Sequence, residues 1–165
     1  MHDKFKVTMI GTGDPSKPPL LISCVKTYLE SRDSLKNKIK ITQVYPGGKG
    51  VFDGVKEEVL KKKPDMVTVT PHEDWDNASM YELCRDLKKA DENIIIVFCS
   101  ETERNRVMLE EVENSKVVDH LIYGEAEVPF EKLLNYYVNG VDGVWANIPN
   151  LKFFTASKKC AKPRS

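Results

Sequence analysis

Five times along this chain a short apolar stretch gives way to a segment with helical spacing, and that alternation limits the fold more than any other feature. The apolar stretches are Lys6 to Gly11, Lys38 to Val44, Met66 to Thr70, Asn93 to Cys99 and Val117 to Tyr123. The helical segments are Leu20 to Ser31, Val51 to Lys63, Ala78 to Ala90, Thr102 to Val112 and Val128 to Asn139. In the first of these, Leu21, Cys24, Val25, Tyr28 and Leu29 recur every three or four positions, the period of one helix face. Pro64 stops the second helix, because it has no N–H to offer a further turn. Ile94 to Phe98 is an unbroken apolar run, the pattern of a strand covered on both faces.

Strands separated by helices predict a parallel sheet joined by right-handed crossovers. The expected fold class is α/β: a five-stranded parallel sheet in a doubly wound three-layer sandwich, with the flavodoxin-like strand order 2-1-3-4-5. At 165 residues and 41% hydrophobic, the chain suffices for one domain with a full core. Residues 1–140 are expected to form that domain, and 141–165 a C-terminal extension or linker lying outside the sheet.

Charge is balanced at 25 basic and 25 acidic residues, which argues against a chain built to hold nucleic acid. No stretch is long and apolar enough to span a membrane. Met1 to Lys6 is not followed by an apolar segment of signal-peptide length, so a cytoplasmic protein is expected. Cys24, Cys84, Cys99 and Cys160 show no metal-finger spacing; the first three lie in apolar stretches and are expected to be buried free thiols.

Open sheets of this kind bind ligands beyond the carboxyl ends of their strands, where the strand order reverses. The candidate residues are therefore Thr12, Gly13 and Asp14 after the first strand and Thr70, Pro71 and His72 after the third. Ser100 and Glu101 follow the fourth strand, and Gly124 and Glu125 the fifth. Thr12, Thr70, Ser100 and Thr102 are small hydroxyl residues that could hydrogen-bond a ligand or merely cap helices. His72 could bind a metal or carry a proton, or simply be held by Glu73 or Asp74. Trp75 could stack on a flat ligand or cover the loop, and His120 is read as structural.

Spacing argues against several chemistries. Gly11-Thr12-Gly13 lacks the third glycine of a dinucleotide fingerprint, since Ser16 stands there, and no acid ends the second strand. Gly47-Gly48-Lys49-Gly50 lacks the spacing and hydroxyl residue of a P-loop. A receiver domain's acid cluster and fifth-strand lysine are replaced by a lone Asp14 and by Gly124-Glu125. Three histidines, one of them His2, do not assemble a nucleophilic triad.

Asp119-His120-Leu121-Ile122-Tyr123-Gly124-Glu125-Ala126-Glu127-Val128-Pro129-Phe130-Glu131-Lys132-Leu133-Leu134 reads as a strand, a glycine turn with two acids, and an amphipathic helix. Glu125 and Glu127 stand where a helix N-terminus favours negative charge. This wording resembles the N-terminal cobalamin-binding domain of cobalamin-dependent radical S-adenosylmethionine enzymes. Val144-Trp145-Ala146-Asn147-Ile148-Pro149-Asn150-Leu151 is similar to the linker those enzymes place before the catalytic barrel.

The resemblance implies a corrinoid module serving a methyltransferase barrel in cis or in trans, with the cobalamin tail entering the carboxyl end of the sheet. The iron-sulfur cluster and S-adenosylmethionine would belong to a missing domain, because C-x-x-x-C-x-x-C is absent and Cys160 stands alone. No catalysis is expected from this chain by itself. The first loop, Asp14 to Pro19, carries no histidine, so cobalamin would bind without a protein imidazole below cobalt. His72 would then meet the corrin edge or tail. The chain departs from the family at Cys99-Ser100-Glu101-Thr102, where a pair of glycines is usual. The alternative is a flavodoxin-like interaction or regulatory domain without a cofactor.

Overall fold

The computed structural model describes residues 3–11, 20–46, 52–71, 75–100, 106–141, 148 and 150–154. Five parallel strands run through the centre: β1 (Phe5–Ile10), β2 (Ile39–Val44), β3 (Met66–Val69), β4 (Ile95–Ser100) and β5 (His120–Tyr123). Between and after them lie α1 (Leu20–Ser31), α2 (Val55–Lys61), α3 (Asn77–Ala90), α4 (Arg106–Ser115) and α5 (Glu127–Asn139). A last strand, β6 (Leu151–Phe153), completes the order β2-β1-β3-β4-β5-β6. The doubly wound α/β sandwich and the order of its first five strands are as the sequence predicts.

The sheet nevertheless has six strands, and the sixth comes from the segment expected to lie outside it. β6 runs antiparallel to β5, with His120 opposite Phe153, Leu121 opposite Lys152 and Ile122 opposite Leu151. A three-residue edge strand has almost no pattern to read: only Leu151 is buried, while Lys152 and Phe153 are exposed. Its identity lies in backbone hydrogen bonds rather than in hydrophobic periodicity.

Strand composition explains the layers. Every residue of β3 and β4 is buried, so successive side chains feed opposite cores. On one face Met9, Met66, Val97, Cys99 and Ile122 meet Val25 and Leu29 of α1 and Phe130, Leu133 and Leu134 of α5. On the other, Ile10, Val67, Ile96, Phe98 and Leu121 meet Val59 of α2, Met80 and Leu87 of α3 and Val112 of α4. The cysteine expectation fails at one position. Cys84 and Cys99 are buried, but Cys24 is exposed, because Ile22, Val25 and Leu29 form the inward stripe of α1 and Cys24 turns away from it.

Helix boundaries have local causes. Asp76 caps α3, its carboxylate accepting the Ser79 N–H at 3.0 Å. That bond and the one from the Ser79 hydroxyl hold the Asp76 carboxyl below its usual pKa. α5 ends at Gly140, whose φ of 64° is left-handed and whose N–H donates to Tyr136 at 3.0 Å. The start expected for α4 at Thr102 lies outside the described residues, whereas α2 begins at Val55 rather than Val51, because the chain turns through Asp53 and Gly54, whose φ of 75° is left-handed.

Two polar features tie the layers together below the strand ends. Asp119 is buried and accepts both the Ile96 N–H at 2.8 Å and the Lys88 ammonium at 2.6 Å. His120, also buried, places Nε2 2.6 Å from the Tyr137 hydroxyl. Its Nδ1 has no partner, and burial pulls its pKa down to about 4. His120 is thus the structural residue the sequence reading expected.

Candidate ligand site at the carboxyl edge of the sheet

Ile10 pairs with Val44 on one side and Val69 on the other, so β1, β2 and β3 end at one level. Val69 pairs with Phe98, whereas Ser100 pairs with Tyr123, so β4 and β5 run on two residues beyond β3. At the rise per residue of a strand, the edge steps up by about 7 Å between β3 and β4. The step adjoins the place where the order reverses, since β1 leads to β2 on one side and β3 to β4 on the other. Gly11, Thr70 and Pro71 follow the strands on its low side, and Ser100, Gly124 and Glu125 end or follow the strands on its high side.

Backbone bonds close the strand ends along this edge. The Gly11 N–H donates to Val44 at 3.3 Å, and the Thr70 N–H donates to Ile10 at 3.0 Å. On the high side, the Gly124 N–H donates to the Ser100 carbonyl at 2.9 Å and the Tyr123 N–H to the Asn150 carbonyl at 3.0 Å. Gly124 has a φ of 71°, which a side chain would disfavour and which turns the chain off β5 within one residue.

The structure thus brings together five of the expected residues. Thr70, Pro71 and Gly124 are half-buried, Ser100 is buried, and Glu125 is exposed. Thr12, Gly13, Asp14, His72 and Glu101 lie outside the described residues, as do Glu73, Asp74 and Thr102. Trp75 is buried in the α2–α3 core and meets the Phe52 ring edge-on at 5.2 Å. Tyr45, just past β2, was not singled out from sequence. It is half-buried, donates to Gln43 Oε1 at 2.7 Å, and has its pKa raised by burial. Its position immediately after a strand was the available signal.

The donor set suits a neutral or amide-rich ligand better than a metal ion. Hydroxyls and backbone groups dominate the described edge, and its exposed charge there is Glu125. Among the described residues no three His, Cys, Asp or Glu side chains cluster to hold a metal. His120 cannot serve the edge, since it lies four positions before Gly124 at the start of β5. Cys99 lies one residue inside the edge, buried, with its thiol pKa pushed up to about 12, so it stays a protonated thiol. Among the described residues no helix is long and apolar enough to cross a membrane.

No protein-family model matches this chain, and no curated protein matches it in sequence. Solved structures resemble its fold. The signal receiver domain of a DNA-binding response regulator from Colwellia psychrerythraea 34H is 18% identical, over 80% of this chain and 96% of that one, with a TM-score of 0.57. A cobalamin-binding protein from Desulfitobacterium hafniense DCB-2 is 10% identical, with a TM-score of 0.54 over 81% of this chain and 58% of that one. A pilus assembly-related protein from Burkholderia pseudomallei K96243 is also 10% identical, with a TM-score of 0.54 over 82% of this chain and 91% of that one. At such identities these likenesses establish the flavodoxin-like α/β fold.

Proposed function

We propose that this chain is a corrinoid-binding module that serves a radical S-adenosylmethionine methyltransferase barrel, supplied in cis or in trans. The observation that carries the reading is the Gly124 turn. A left-handed glycine at the mouth of β5 leads through Glu125 directly into α5, beside a step in the sheet's carboxyl edge. The sequence across that turn is the passage that resembles cobalamin domains of such enzymes. The fold shared with a cobalamin-binding protein is a second, coarser support.

The residues present fit such a ligand. Thr70, Pro71, Ser100, Gly124 and Glu125 line the described edge, and small or polar groups leave room for a large amide-rimmed ring. Thr12, Gly13, Asp14, His72 and Glu101 belong to the same loops and complete the proposed contact set. Bound cobalamin would supply a cobalt centre able to take up a methyl group from S-adenosylmethionine and deliver it to a poorly reactive carbon or phosphorus. The chain's own part is to bind and orient the corrin and shield one face of it. Asp14 would be a poorer donor to cobalt than an imidazole, so the first loop would help hold the corrin without supplying a metal ligand.

A second reading is favoured by one feature: Ser100 and Glu101 stand where a glycine pair would let backbone approach the ring. On that reading the chain is an interaction or regulatory domain without a cofactor, of the kind its likeness to a receiver domain suggests. Calorimetric titration with hydroxocobalamin separates the two. Saturable heat at micromolar to submillimolar ligand supports the corrinoid module; no heat at millimolar ligand leaves the cofactor-free domain.

A further inference from the structure

The chain beyond α5 returns to the sheet beside the Gly124 turn. Asn150 carries a φ of 64° and offers its carbonyl to the Tyr123 N–H at 3.0 Å. The next amide, Gly124 N–H, donates the other way, to Ser100 at 2.9 Å. Successive amides of a strand point to opposite sides, so the mouth of β5 is clamped between β4 and the returning segment. Below Asn150 the segment is fixed at four more places. Ile148 and Leu151 are buried in the core shared by α1 and α5. The Phe153 ring meets His120 edge-on at 4.4 Å, and the Phe154 N–H donates to the Asp119 carbonyl at 3.1 Å.

We propose that Asn150, with β6 behind it, is a positioning residue for the Gly124–Glu125 turn and through that turn sets the affinity of the ligand site. The ligand half of this inference rests on the corrinoid reading; the positioning half does not. Asparagine tolerates the left-handed region better than most residues, and its position needs that region to aim the carbonyl back at β5. A β-branched residue there would force the backbone away and withdraw the acceptor. The mouth of β5 would then keep one clamp of two, while β1, β2 and β3 do not pair with β6.

The test compares Asn150→Val with Asn150→Gly in the full chain, by amide hydrogen exchange and by hydroxocobalamin titration. Glycine keeps the left-handed backbone, so it should leave the exchange of Tyr123 and Gly124 and the affinity within about twofold of the parent. Valine should speed exchange at Tyr123 and Gly124 by about tenfold or more, leave Val7 and Met9 unchanged, and weaken hydroxocobalamin binding by about tenfold. If Asn150→Val does not fold, Phe153→Ser loosens the same segment from its exposed end and should give the same local pattern. Unchanged exchange at Tyr123 and Gly124 overturns the positioning role. Faster exchange with unchanged affinity overturns the link to the ligand. A parent chain that binds no hydroxocobalamin sinks the corrinoid reading, while the exchange result still decides the positioning role.

Discussion

The N–H of Gly124 donates to the carbonyl of Ser100 over 2.9 Å, and through this bond the end of β4 fixes the turn by which the chain leaves β5. Two residues from different strand ends are thereby held side by side on the high side of the step. The proposed ligand contacts at Ser100 and Glu125 depend on that juxtaposition.

Replacing Gly124 by valine should strain a backbone held at a φ of 71°. The expected cost is about 1–2 kcal/mol, read as a lower urea midpoint with an unchanged m-value. A midpoint equal to the parent's would mean that the turn tolerates a side chain.

His120 makes stability depend on pH. Its ordinary pKa of 6.5 falls to about 4 in the fold, so the folded state resists the proton that the unfolded chain accepts. Stability is therefore full above pH 6.5 and is lost as pH falls towards 4, by about 3 kcal/mol across the window. Urea unfolding at pH 7 and pH 4 measures it. Carboxylates contribute to the same slope, so the informative quantity is the difference from His120→Phe, which should lose about that much less. Equal slopes in the two proteins would remove His120 as the cause.

Asp119→Ala should cost roughly 2–3 kcal/mol, since it removes the acceptor of the Ile96 N–H and the partner of Lys88 at once. Lys88 is 24% exposed and can turn to water, which keeps the cost at the lower end for a buried pair. The urea midpoint again reads it, and a change under 0.5 kcal/mol would contradict the bonding described.

The native thiols should separate by reactivity. Cys24 is exposed, while Cys84 and Cys99 are buried with pKa values pushed up to about 12. Iodoacetamide at pH 8 should label Cys24 within minutes and leave Cys84 and Cys99 unlabelled until the chain is unfolded. Mass spectrometry of the peptides decides, and fast labelling of Cys99 would show that the carboxyl edge is open where the structure has it packed.

The sandwich was legible because its strands are continuous apolar runs; β4 alone, Ile95 to Phe98, fixes a buried strand. β6 was not legible, since one buried residue in three gives no period and its pairing partner lies in the preceding strand of the fold. Cys24 was misread because an apolar helix of mixed face leaves the buried stripe ambiguous by one position. Asp119 looked like a strand residue and not a buried acid, because Lys88 lies 31 residues away in sequence. At the edge, Thr70, Ser100 and Gly124 could be named from topology alone, as the ends of strands flanking a reversal. The step in that edge could not, because register between β3 and β4 is a property of pairing.

The most direct measurement is the visible spectrum of hydroxocobalamin titrated with the purified chain. The corrinoid reading predicts a saturable shift of the absorption bands, weakened at least tenfold in Gly124→Val at protein concentrations where that variant stays folded. A spectrum that matches free hydroxocobalamin at every protein concentration, up to millimolar, would contradict it.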